Sequence, residues 1–100
     1  MITKWTPTTN LIMLRRMGKL GEELAELSVV TNRCIIQGID EIDPASGKVN
    51  RLRLEHEIAD VLAQCWTTIE TLKLDVPAIC QRKEYKMDQM REWEAMFDAP

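Results

Sequence analysis

The chain is poor in the residues that punctuate or specialise a fold. Its 100 residues include only four glycines, four prolines, three cysteines, one histidine and 5% aromatics. No stretch alternates polar and apolar residues as a half-buried strand does, and there is no internal repeat or low-complexity tract. No apolar run approaches the roughly 20 residues that cross a bilayer, and Met1-Ile2-Thr3-Lys4-Trp5 has no signal-peptide apolar core. A soluble, cytoplasmic protein without a membrane partner is expected. Thirteen basic against sixteen acidic residues give a net charge of -3, which is no footprint for nucleic acid. Cys34, Cys65 and Cys80 are odd in number and far apart, so buried free thiols are expected rather than disulfides or zinc. The lone His56 has Arg53 three residues before it, so the Glu-x-x-His pairs of a di-iron bundle are absent.

What the chain does have is acidic pairs in helical register. Glu23 and Glu26 are three residues apart, as are Glu57 and Asp60, and residues so spaced are surface neighbours on a helix. Side-by-side carboxylates repel unless a cation sits between them. At about 100° per residue, the apolar stripe Met13, Met17, Leu20, Leu24, Leu27, Ile35 has Glu23 about 80° and Glu26 about 140° from its centre. The stripe Leu54, Ile58, Val61, Cys65, Ile69, Leu72 has Glu57 and Asp60 displaced in the same sense by about the same angles. Antiparallel packing of two such helices gathers all four carboxylates into one patch. An all-oxygen patch suits a hard divalent cation, Mg²⁺ or Mn²⁺.

The spacing predicts an all-α fold: a single domain over residues 1–100, an antiparallel bundle of three main helices completed by oligomerisation. After an irregular lead-in over 1–9, the first helix starts near Thr9 or Asn10 and stops around Gln37, before Gly38. Gly18 and Gly21 lie inside it, each costing about 1 kcal/mol against alanine, which implies a kink or a close neighbour. Residues 38–50 collect turn formers and read as an inter-helix loop long enough to close over a ligand. Its Asp40, Glu41 and Asp43 lack EF-hand spacing and read as a solvated turn. Asn50 is a candidate N-cap for the second helix, which runs to about Lys73, and Asp75 caps a third with Pro77 in its first turn. Three amphipathic helices leave an apolar side that a second copy would cover.

Lys83 and Lys86, with Arg91 beyond, present cations that suit nucleotide phosphates beside a metal. Trp5, Trp66 and Trp93 read as core or dimer-interface packing, and His56 as exposed.

Glu23-x-x-Glu26 followed by Glu57-x-x-Asp60 resembles the paired signature of the MazG-like nucleoside triphosphate pyrophosphohydrolases, an all-α superfamily. The resemblance covers roughly residues 13–91 and includes Lys19-Leu-Gly-Glu-Glu-Leu-Ala-Glu-Leu, Glu57-Ile-Ala-Asp-Val-Leu and the segment from Leu74-Asp75 to Lys86. It implies Mg²⁺-dependent cleavage of a nucleotide, dNTP or modified NTP, to monophosphate and pyrophosphate by a homodimer or tetramer. Carried over, Glu23, Glu26, Glu57 and Asp60 are metal ligands and catalytic, Glu22 supports them, and Lys83 and Lys86 contact phosphate. Met87 stands where the family often has asparagine, and the 38–50 loop is longer than in compact members. Two other readings compete: the related phosphoribosyl-ATP pyrophosphohydrolase, and a non-catalytic helical interaction module.

Overall fold

Three helices make up most of residues 4–98, the residues that the computed structural model describes: α1 (Leu11–Gln37), α2 (Asn50–Leu72) and α3 (Val76–Asp98). The first three positions of the lead-in lie outside the described residues; the rest of it is irregular and exposed. Among the described residues there is no strand, only one antiparallel bridge between Ile42 and Val49. The all-α expectation therefore holds.

Local chemistry explains most of the helix ends. The Asn10 side chain accepts from the Ile12 and Met13 amides at 2.9 and 3.2 Å, supplying acceptors for donors that a helix start leaves free. Gly38 ends α1 at φ 108°, a conformation that a side chain would strain. Lys73 ends α2 in the left-handed region, and Asp75 Oδ1 accepts the Ala78 amide at 3.0 Å to open α3. No neighbour approaches Gly18 or Gly21, and α1 is one unbroken helix through both.

Asn50 departs from its expected role. It is the first residue of α2 rather than its cap, which is Val49 and offers no side-chain acceptor. Asn50 is fully buried, and its Nδ2 donates to Gln37 Oε1 and the Gly38 carbonyl, both at 3.0 Å. It ties the start of α2 to the end of α1. Asp43 also departs from the solvated-turn reading. Only 2% exposed, it accepts from Gln37 Nε2 at 3.0 Å and from the Ser46 amide at 2.9 Å, with the Arg53 guanidinium 3.3 Å away. Backbone bonds from Asp43 to Lys48, Asn50 to Glu41 and Arg51 to Ile39 complete a bonded cap on the helix pair. The bonds from Gln37 and then Ser46 hold the Asp43 carboxyl below its ordinary range, as the Arg51 guanidinium does for Asp40. A depressed carboxylate stabilises the fold above its unfolded pKa and loses that contribution as pH falls through its folded one. The cap is thus at full strength at neutral pH and weakens only in acid.

The α1–α2 pair is antiparallel, since Arg16 meets Gln64 and Thr67 at one end while Gln37 meets Asn50 at the other. Its seam departs from the apolar stripe predicted for α1 and largely keeps the one predicted for α2. The shielded residues of α1 are Arg16, Leu20, Glu23, Leu27, Val30, Cys34 and Gln37, in steps of four and three; on α2 they include Asn50, Leu54, Glu57, Val61, Gln64 and Thr68. Such 3.5-residue spacing keeps one line of side chains facing a partner helix. On α1 most of the apolar stripe is rotated out of the seam, leaving Met17 40% and Leu24 49% exposed, whereas on α2 Leu54, Val61, Cys65, Ile69 and Leu72 are shielded and only Ile58 of the stripe, at 43%, is exposed. Val30 is the one fully buried apolar side chain among the described residues.

α3 does not pack along either helix, and none of its residues is buried. The three-helix bundle expected from the sequence is not closed within one chain. The radius of gyration is 17.9 Å, against about 13 Å for a compact domain of this length.

Replacing Asn50 with alanine removes two buried hydrogen bonds at the α1–α2 junction. The substitution is expected to cost about 2 kcal/mol, read as a lower denaturation midpoint with unchanged helical content.

Candidate metal centre

The seam brings carboxylates from both helices together. Glu23 of α1 and Glu57 and Asp60 of α2 each offer an oxygen, and the three oxygens lie within 4.8 Å of one another. Three points no farther apart than that lie within 4.8/√3, about 2.8 Å, of a common centre. Magnesium binds oxygen at about 2.0–2.1 Å and calcium at about 2.3–2.6 Å, so small rotations, easiest for the exposed Asp60, bring the three into range.

Glu23 and Glu57 occupy seam positions where apolar side chains would serve the packing better. Oε2 of each is shut off from solvent and accepts no hydrogen bond. A buried carboxylate oxygen without a donor is costly, and a cation is the partner that such a pair lacks. Glu23 shows the strain directly: burial first, then the charges of Glu26 and Asp60, raise its pKa, while Lys19 partly offsets them. A carboxyl whose pKa is raised by folding destabilises the native state once ionised, so without metal its charge opposes the fold at neutral pH. An all-oxygen donor set with two orphaned atoms therefore fits a hard divalent cation.

The other candidates are placed differently. Glu26 is exposed and outside the group of three, yet near enough to raise the pKa of Glu23. Glu22 is also exposed and forms an ion pair with Lys19 at 3.3 Å. Lys83 and Lys86 line a face of α3 with Met87, Met90, Arg91 and Glu94; among the described residues, no ion pair or hydrogen bond links either lysine to the acidic cluster. His56 is exposed as expected, and the three cysteines are free but half-buried. Trp66 is 53% exposed, and Trp93 lies edge-on to Phe97 with ring centroids 5.0 Å apart, so neither belongs to a core of the single chain.

Sequence reasoning passed over Arg16, which shares the seam with Glu23. The signal was available: Arg16, Leu20, Glu23, Leu27 and Val30 keep the four-three rhythm that the more apolar stripe obscures.

Glu23→Gln removes the opposed charge and is expected to raise the melting temperature of metal-free protein. Mg²⁺ or Mn²⁺ at a hundred times its Kd should stabilise the unsubstituted chain by about 2.7 kcal/mol and the variant far less. Calorimetric melting in chelator and in metal checks both halves.

No family model, no curated protein and no solved structure matches the chain, so the likeness to MazG-like enzymes rests on the acidic motifs and their placement.

Proposed function

We propose that the chain is a Mg²⁺-dependent nucleoside triphosphate pyrophosphohydrolase, acting on a dNTP or a modified NTP and working as a homodimer. The observation that carries this reading is the trio Glu23, Glu57 and Asp60, facing one another across the seam with two carboxylate oxygens buried and unpartnered. Glu23, Glu57 and Asp60 would hold the ion, and Mn²⁺ would substitute for Mg²⁺. When bound there, a divalent ion neutralises phosphate oxygens and lowers the pKa of coordinated water. Glu26, exposed one turn from Glu23, would complete the ligand set after a rotamer change or accept a proton from water there. Glu22 adds negative charge at the rim and is held by Lys19. The carboxylates alone would repel a triphosphate, so the metal is what makes this patch compatible with its substrate.

The dimer is supported by area. The chain exposes 8373 Å², whereas a compact monomer of 11.6 kDa exposes about 5,800 Å². The excess of roughly 2,500 Å² per chain is of the size that obligate homodimers bury. Relative to the seam, Met17 and Leu24 on α1 and Ile58 on α2 are all rotated about 100–120° in one sense. In an antiparallel pair that places them on the same side. Glu26 and Asp60, about 60° the other way, share the opposite side. The helix pair thus has an apolar side and an acidic side, and a second copy covers the apolar one together with the apolar face of α3. In such a dimer Lys83 and Lys86 would be the α3 cations available to a bound phosphate chain.

With Mg²⁺, purified protein is expected to release pyrophosphate from at least one member of a nucleoside triphosphate panel that also contains phosphoribosyl-ATP. Glu57→Gln and Asp60→Asn should each lower turnover by roughly two orders of magnitude or more while helical content stays the same. A full panel without metal-dependent turnover would refute the enzymatic reading. Light scattering at micromolar concentration should give at least twice the 11.6 kDa chain mass. A stable, folded monomer would refute the dimer.

A further inference from the structure

We propose that Arg16, with Arg15 beside it, forms an anion subsite on the α1–α2 seam that takes the terminal phosphates of the ligand whose cation the acidic cluster holds. Arg16 precedes Glu23 by seven residues, and Gln64 and Thr67 follow Glu57 and Asp60 by seven, so the two layers lie two helical turns apart on one seam. That is about 10 Å along the helices, a distance that a triphosphate chain and the reach of a guanidinium together span.

The Arg16 guanidinium is half-buried and held in place by neutral groups alone. Its Nη1 donates to Thr67 Oγ1 at 2.5 Å and to Gln64 Oε1 at 3.3 Å. Among the described residues, no carboxylate lies within ion-pair distance of Arg16 or Arg15. A fixed, partly desolvated cation with no counter-charge is costly unless an anion arrives. Both contacts of Arg16 use Nη1, so Nε and Nη2 keep donors in the fork that binds an oxyanion through two bonds. Arg15 and Arg16 line a cavity of about 380 Å³ with Ile12, Thr67, Glu70 and Thr71. Glu70 is the one acid of that lining and pairs with neither arginine, so the cavity keeps a net positive charge. The Thr67 hydroxyl proton is held by the Ala63 and Gln64 carbonyls, so among the threonines it is Thr71 that adds a donor for phosphate oxygens. Cation at one end and guanidinium at the other fix the direction in which a phosphate chain lies along the seam.

This inference rests on the metal-dependent reading for the ligand's identity, but the two fail separately. Inorganic tripolyphosphate binding is measured by calorimetry with and without Mn²⁺, alongside Mn²⁺ binding alone, for the unsubstituted protein, Arg16→Gln and Arg15→Gln. Arg15 makes no hydrogen bond among the described residues, so its variant keeps the fold even if loss of the Arg16 contacts does not. The expected result is that each substitution weakens tripolyphosphate binding about tenfold and leaves Mn²⁺ affinity unchanged. Tripolyphosphate binding that needs no Mn²⁺ and is lost in the variants supports the subsite even if Mn²⁺ itself fails to bind. Wild-type affinity in Arg15→Gln and in folded Arg16→Gln overturns the proposal, as does absence of tripolyphosphate binding by the unsubstituted protein under both conditions.

Discussion

Like-charge repulsion inside a helix–helix seam is the constraint on which the rest of this structure turns. Packing α1 against α2 favours apolar side chains at steps of three and four, yet Glu23 and Glu57 occupy two of those positions and leave an oxygen each without a donor. The polar bonds at the two ends of the seam, Asn50 to Gln37 and Arg16 to Gln64 and Thr67, fix how the helices meet. With both ends pinned, the carboxylates in the middle are held near one another rather than free to turn to solvent. By itself the arrangement opposes stability, and a cation held there would offset that cost.

The same constraint accounts for where the apolar residues go. Polar groups fill much of the seam, so the α1 stripe that carries Met17 and Leu24 is turned aside and exposed, while on α2 only Ile58 of the stripe is left out. On α1 the acidic and apolar sides are consequences of one rotation rather than two separate features. α3 adds apolar surface without covering any, since Met87, Met90 and Trp93 are exposed as well.

Helix periodicity made the three helices legible, and capping chemistry made the starts of α1 at Asn10 and α3 near Asp75 legible. Asn50 was misassigned because a cap and a buried cross-link call for the same side chain. Only the position of Gln37 and the Gly38 carbonyl distinguishes them. Asp43 was missed for a related reason: its hydrogen-bond donors come from Gln37 and Ser46 and its counter-charge from Arg53, and no spacing rule joins those three. In the candidate metal centre, antiparallel packing and i,i+3 pairing foretold the meeting of Glu23, Glu57 and Asp60. Glu26 falls outside the group of three although Asp60 holds the matching place on α2, and helical spacing alone does not separate the two. The lysines of α3 could not be placed from spacing, since their relation to α1 and α2 is not fixed by contacts within one chain.

A chain with a single buried apolar side chain among its described residues has little to hold a collapsed state together by itself. Hydrophobic burial is the main force that offsets the entropy of ordering three long helices. Where that burial must come from a second copy, folding and association become one equilibrium, and the native state is a property of a solution rather than of a molecule. For the proposed dimer, dilution would then act as a denaturant. In the proposed dimer a regulator would not need to reach the carboxylates, because lowering the chain's concentration would withdraw the burial that supports the seam.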